Sequence, residues 1–328
     1  MLMPGHDVLA MIAVLALLID AAAGEPGALW GRIGHPVRWM GAAIEGLDQR
    51  LNRHGDSPRQ LRMAGGLALL ILLGAAATIG AVITLMLPAS PLGYGIEALI
   101  VSVFIAQRSL FEHVAAVAAA FEEGGLTAAR KAVSLIVGRD PDMLDEAGIA
   151  RAAIESCAEN FSDGVTAPLI WYLIGGLPGL LAYKMLNTAD SMIGHRSVRH
   201  EHFGWAAAKC DDAANFLPAR LAGLIIAVAG LAGGSVAGGL KAMRRDAGHH
   251  RSPNAGWPEA AMAGVLGLAL NGPRIYDGRM TDDGWMNAGG RIEAGAADIG
   301  RALRLFLAAC AVQALLVSAL AAGLWAWL

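Results

Sequence analysis

The sequence predicts an all-α, polytopic integral membrane protein, and three observations predict it. The 328 residues are 55% hydrophobic and only 16% charged, where a soluble domain carries about 25% charged residues. The mean hydropathy is +0.50. Apolar windows recur along the whole chain at lengths that suit a bilayer, since about 20 helical residues cross about 30 Å of hydrocarbon.

Taken in order, residues 8–23 form a short apolar run that contains Asp20 and has no Lys or Arg before it. A cleaved signal would start with basic residues, so this run reads as a retained membrane segment. Residues 63–87 are long enough to span. Residues 92–106 follow after the Pro88–Pro91 turn, which makes a tight hairpin. Residues 107–164 read as a helical cytoplasmic insertion, and 241–302 as a polar cytoplasmic segment around a short apolar helix at 258–270. Residues 303–328 are another clear span. The whole chain, 1–328, reads as one membrane-embedded catalytic domain.

Basic residues give the orientation. Six Arg lie between positions 32 and 62, and none precedes them. The N-terminus is therefore expected outside, and loop 32–62 in the cytoplasm. Loops 107–164 and 184–209 are also basic, yet one apolar segment, 165–183, separates them. That segment is interrupted by Gly175-Gly176-Leu177-Pro178-Gly179. Segment 216–240 is likewise interrupted at Gly233-Gly234 and followed by a basic loop. Both are expected to be broken helices, re-entrant or buried, because irregular backbone at membrane depth is tolerated only under a protein or polar cover.

Composition also excludes classes. Net charge is −3 and aromatics are 6%, so nothing favours a nucleic-acid partner. Cys157, Cys210 and Cys310 have neither metal-ligand spacing nor a pairing pattern. The histidines, including His195, His200, His202 and His249-His250, show no ligand pattern. There is no P-loop, so ATP use would be of another type. No Gly-x-Ser-x-Gly elbow or His-Glu-x-x-His motif is present.

Polar side chains cluster between 153 and 220, and polar groups at membrane depth are costly enough to suggest function. Glu155, Glu159 and Asp163 are spaced i, i+4, i+8, which stacks them on one face of a helix. Such a stack calls for a cation, and with Asn160 it reads as a Mg²⁺ or Mg-nucleotide site; an exposed acidic helix end is the plainer reading. Lys184, Asn187 and Ser191 repeat at i, i+3, i+7 beside Asp190. Lys184 there suits a phosphate, or snorkels to the interface. Asp211, Asp212 and Asn215 precede Arg220, which opens an apolar run and wants an acidic partner. His35 and Arg38, and the Ser252–Glu259 stretch with Asn254 and Glu259, sit in Pro/Gly-rich loops whose geometry lets backbone approach a ligand, or which are ordinary turns.

These motifs, in this order, resemble the adenosylcobinamide-phosphate synthase family of cobalamin biosynthesis. The resemblance runs from Asp20, Gly24-Glu25-Pro26 and His35-Pro36-Val37-Arg38 through Val137-Gly138-Arg139-Asp140. It continues with Glu155-Ser156-Cys157-Ala158-Glu159-Asn160, Asp163-Gly164, Ala167-Pro168 and the Gly175–Gly179 break. Tyr183-Lys184, Asn187 to Gly194, Asp211-Asp212, Asn215, Pro218-Ala219-Arg220 and Ser252 through Glu259 complete it. The chain departs where the family commonly has Asp for Glu25, Tyr for His195 and Leu for Ala189.

The resemblance implies a multi-pass inner-membrane ligase with its site facing the cytoplasm. It would join the propionate carboxylate of adenosylcobyric acid to (R)-1-amino-2-propanol or its O-phosphate, with ATP as co-substrate and Mg²⁺ as cofactor. On that reading Lys184, Asp190, Asp212 and Arg220 are catalytic. His35, Arg38, Asn160, Asn187, Ser191, Asn215, Asn254 and Glu259 bind substrate or nucleotide. Glu155, Glu159, Asp163 and Asp211 hold the metal. Partners are the bilayer, other membrane enzymes of late cobalamin assembly and further copies of the chain. An ion-coupled transporter and a non-catalytic scaffold for corrinoid enzymes are the rival functions.

Overall fold

A computed structural model describes residues 5–24, 27–137, 143–195, 197–276, 279–281 and 283–327. Glu25, Pro26, Gly138, Arg139 and Asp140 of the sequence motifs lie outside them. Thirteen α-helices account for most of the described residues: α1 His6–Ala23, α2 Gly27–Ile33, α3 Pro36–Leu51, α4 Pro58–Met86, α5 Pro91–Ser102, α6 Gln107–Val133 and α7 Glu146–Asn160, then α8 Ala167–Ile193, α9 Trp205–Ala214, α10 Phe216–Ala229, α11 Val236–Asp246, α12 Gly256–Leu266 and α13 Ala296–Trp325. Four short strands are the exception: β1 Leu270–Asn271 pairs with β4 Trp285–Met286, and β2 Arg274–Tyr276 with β3 Arg279–Thr281, both antiparallel. The sequence reading of 241–302 foresaw the short helix and not these strands.

Local chemistry starts the helices. Ser57 accepts from Gln60 N while the Gln60 side chain accepts from Ser57 N, with Pro58 in the first turn; this is a capping box. Ser90, Asp145 and Ser235 cap α5, α7 and α11 by accepting a backbone N–H three residues on.

Among the described residues, five helical stretches are long and apolar enough to cross a membrane: His6–Ala23, Pro58–Met86, Pro91–Val133, Glu146–Ile193 and Ala296–Trp325. A sixth is added if the broken pair Trp205–Ala214 and Phe216–Ala232 counts as one. Large apolar side chains such as Leu70, Met86, Leu92, Leu315 and Trp325 are exposed. Soluble monomers do not present such a surface, whereas hydrocarbon accepts it. The protein is an all-α polytopic membrane protein.

The chain divides into two compact units, where the sequence reading treats 1–328 as one domain. One comprises Met1–Ile105, Ala167–Asn215 and Val317–Leu328. Its core is the face of α1 that carries Leu9, Ile12, Ala13, Ala16 and Leu17, all buried, packed against α5 and α8. Inside it, Tyr172 donates to Glu97 at 2.8 Å, with both residues buried. Gly80 of α4 lies so close to the Leu177-Pro178 backbone that a Cβ would sit 2.6 Å from Pro178 N.

The other unit comprises Ala106–Thr166 and Phe216–Leu316. The stretch read as a helical cytoplasmic insertion, 107–164, supplies part of its core. From Ile149 to Ala158 every residue but Arg151 is buried. Residues Phe161–Thr166 then form a π-helical turn. Phe161 packs edge-on against Phe306 with ring centroids 5.9 Å apart, and Thr166 donates to Gln313 Oε1 at 2.7 Å.

The two expected breaks differ. In α8 the only non-helical residue is Gly176 (φ 58°, ψ −151°). The helix resumes at once with Pro178 in its new first turn, a position that proline favours. At Gly233 (φ 140°) the chain reverses. Gly230 faces Val236, Gly239 faces Ala227, and Gly223 faces Met243, so α10 and α11 form an antiparallel hairpin. Helix α12 closes on it, with Gly264 against the Gly238 backbone and Val265 against Gly234.

Candidate functional site

In the first unit, the second half of α8 and the short helix α9 bring together Tyr183, Asn187, Asp190, Asp211, Asp212 and Asn215. The helical spacing of Tyr183, Asn187 and Asp190 puts them on one face of α8, and α9 packs there. Asp211 is buried. Its Oδ2 accepts from Asn215 Nδ2 at 2.9 Å, while its buried Oδ1 has no hydrogen-bond partner. The Asn187 amide lies near enough to serve it as a further donor, and the carboxylates of Asp190 and Asp212 act on it electrostatically. Tyr183 donates to Asn215 Oδ1 at 2.9 Å and its ring stacks on Trp171 at 6.5 Å. Asp212 pairs with Lys209 at 3.2 Å at the more exposed edge.

A buried carboxylate oxygen left without a donor costs free energy in the resting protein. Two further carboxylates aggravate the cost. The arrangement is therefore suited to receive a cation or a proton from an incoming group. Among the described residues, no group of three His, Cys, Asp or Glu is close enough to hold a metal by itself. The all-oxygen set fits Mg²⁺ that keeps most of its ligands as water and phosphate, which is how that ion is ordinarily held.

Lys184 lies one turn before Asn187 on α8, and its carbonyl accepts from Thr188 at 2.7 Å. The Ser191 hydroxyl is spent on the Asn187 carbonyl at 2.9 Å. Gly194 ends the helix with a Cβ position that runs into the Asp190 carboxylate, so only glycine leaves that carboxylate its place. His195 acts electrostatically on Asp190.

The second unit holds another constellation. The Arg220 guanidinium lies 3.5 Å from the Phe216 ring centroid and 4.6 Å from that of Trp257. Its Nη1 donates to Phe216 O at 2.6 Å and reaches Asn254 Oδ1 at 3.5 Å. Asn254 and Glu259 are buried, and His250 Nε2 sits 3.7 Å from Glu259. Within its own unit Arg220 is held by aromatic faces and a backbone carbonyl, as suits a guanidinium, which is weakly hydrated and stacks well.

The other expected site residues have local partners of their own. His35 caps α3 by accepting from Val37 N at 3.2 Å, and its ring meets Trp30 edge-on at 5.1 Å; Arg38 is exposed on the next turn. Glu155 is buried and accepts from Asn271 N at 2.7 Å, so it holds the β1 loop. The single α-helical face expected for Glu155, Glu159 and Asp163 ends at Asn160, since Asp163 lies in the π-helical turn. Asn160 turns back on Ser156. Sequence reasoning omitted Tyr183, Trp171, Trp257 and His250 from the site. Tyr183 and Trp257 belong to the motifs that carry the family resemblance, and that membership was their signal.

Comparison with known proteins follows the same residues. The family model described as CobD/Cbib protein matches residues 13–306. A protein named cobalamin biosynthesis protein CobD from Rhizobium meliloti (strain 1021) is 51% identical over 307 residues, covering 92% of this chain and 94% of that one. A protein of the same name from Sinorhizobium sp is 52% identical over 321 residues, covering 96% and 99%. One from Rhodobacter capsulatus is 49% identical over 316 residues, covering 96% and 98%. No solved structure matches the chain.

Proposed function

The chain belongs to the CobD/Cbib family, and from that premise we propose that it is the amide ligase of its pathway. It takes part in cobalamin biosynthesis as a membrane protein. Its proposed reaction joins the propionate carboxylate of adenosylcobyric acid to (R)-1-amino-2-propanol or its O-phosphate, giving adenosylcobinamide or its phosphate. The proposed location is the inner membrane, with the site facing the cytoplasm, where ATP is.

The chemistry sets the tasks. A carboxylate is a poor electrophile, so its oxygen first takes the γ-phosphoryl group of ATP and releases ADP. The amine then attacks the acyl carbon, phosphate leaves, and one amine proton must go to a base. Lys184 is the proposed partner of phosphate oxygens, and Asp190 or Asp211 the proposed acceptor of the proton. Asn187 and Asn215 orient these carboxylates. Mg²⁺, when bound with the nucleotide, offsets charge on the transferring phosphoryl group.

The observation that carries this reading is the orphaned Asp211 oxygen among Asn187, Asp190 and Asp212. Purified protein supplied with adenosylcobyric acid and each amine form, with and without ATP, tests it. ATP-dependent amide product is expected; its absence with both amines sinks the proposal. The glycine-broken helices also suit ion-coupled transport. Solute uptake into proteoliposomes without product formation would favour that second reading.

A further inference from the structure

At the tip of the α10–α11 hairpin lies a cavity of about 170 Å³, lined in part by Ala232, Gly233, Gly234, Leu266, Arg301 and Arg304. Pockets for drug-sized ligands run to about 300–1,000 Å³, so this one suits a single small group. A Cβ on Gly233 would meet nothing within 4 Å, which leaves that wall open. The turn offers no backbone donors: Gly233 N and Gly234 N donate to Gly230 O, and Ser235 N donates to Val265 O. Recognition therefore falls to the two guanidiniums.

These differ in how they are held. Arg301 is fixed, donating to Leu266 O at 2.8 Å and to Asp298 Oδ1 at 3.1 Å. Arg291 also donates to that Asp298 oxygen, at 2.6 Å, so one carboxylate already serves two guanidiniums. Arg304 adds a third positive charge. It is exposed, and its guanidinium has no hydrogen bond or ion pair among the described residues. The local excess of positive charge, the small volume and the planar donors match a phosphate oxyanion.

We propose that this cavity binds a phosphate group, with Arg301 as the fixed donor and Arg304 as the second. Arg304 precedes the apolar stretch of α13, a helix long enough to span, and an arginine at that level reaches headgroup phosphates. A phospholipid headgroup and a free phosphate compound present the same oxyanion. The site is separate from the proposed ligation chemistry and stands if that reading fails.

The test uses the full chain in two arms. Equilibrium dialysis of the detergent-purified protein measures radiolabelled inorganic phosphate. Native mass spectrometry after extraction from phosphatidylglycerol nanodiscs measures retained lipid. Arg304→Gln is the deciding variant, since its guanidinium holds nothing else; Arg301→Gln is read only if the protein remains monodisperse. A loss of about 10-fold in affinity, the worth of one charge-assisted hydrogen bond, is expected in one arm or both. A loss confined to dialysis identifies a free phosphate ligand, and one confined to nanodiscs identifies a headgroup. Binding in both arms that is unchanged by Arg304→Gln overturns the site, as does no binding in either arm by the unmodified protein.

Discussion

The α8–α9 cluster and the α10–α12 cluster solve opposite problems. In the first, three carboxylates crowd two amides, and the buried Asp211 carries an oxygen without a donor. In the second, one cation is already accommodated by two aromatic faces and a carbonyl. The first is incomplete as it stands and gains by binding something positive or protonated. The second holds its cation preorganised between the rings. The difference teaches that charge placed in an oily protein is informative by what it lacks, more than by its presence.

The sharpest way to break the comparison is at the carboxylates. Asp211→Asn and Asp190→Asn keep size and hydrogen bonding to Asn215 or its neighbours while removing charge. Each is expected to lower the ligation rate by about 100-fold or more, the usual worth of a positioned acid or base, with helical content by circular dichroism unchanged. Rates within a factor of a few of the unmodified protein would make the cluster a structural device.

A smaller effect is expected in the other cluster. Arg220→Lys keeps the charge and loses the planar stack on Phe216 and Trp257. A loss of about 1 kcal/mol in thermal stability is expected, on the scale of exposed cation–π contacts, with turnover reduced less than in the aspartate variants. An equal or greater loss of turnover would give Arg220 a direct place in the reaction.

The smallest effect sharpens the comparison with a carboxylate that is fully served. Asp48 is buried, which alone would push its carboxyl up, but hydrogen bonds from Asn52 and Arg199 and the nearby positive charge hold it below the usual carboxylate range. A lowered native pKa adds stability that is present above the unfolded value, about 3.9, and is lost as pH falls through the lowered value. Thermal unfolding in detergent should therefore show a stability loss below about pH 4 that Asp48→Asn reduces. An identical acid profile in that variant would show that Asp48 does not contribute to it.

Much of this architecture was legible because it is written locally. Apolar length located α1, α4, α5 and α13, and paired glycines marked both breaks. The outcome at each break was not legible. Pro178 lets α8 resume, whereas at Gly233 the reversal depends on the fit of α11 and α12 residues that lie far along the chain. The same limit explains Glu155, whose role is fixed by a backbone N–H 116 residues away. Of the candidate cluster, Asn187, Asp190, Asp211, Asp212 and Asn215 were singled out as polar residues near membrane segments.

The fit of α12 on the hairpin has a consequence for how the chain is made. Ser235 N, at the reversal, is satisfied by Val265 O, and the hairpin seam is sealed by the Gly238–Gly264 approach. A ribosome delivers Val265 only after the hairpin has already emerged. Until then the turn has a bare N–H, which in hydrocarbon would cost roughly 2–7 kcal/mol. Packing of α12 therefore completes the turn, and the hairpin is finished only once α12 is in place.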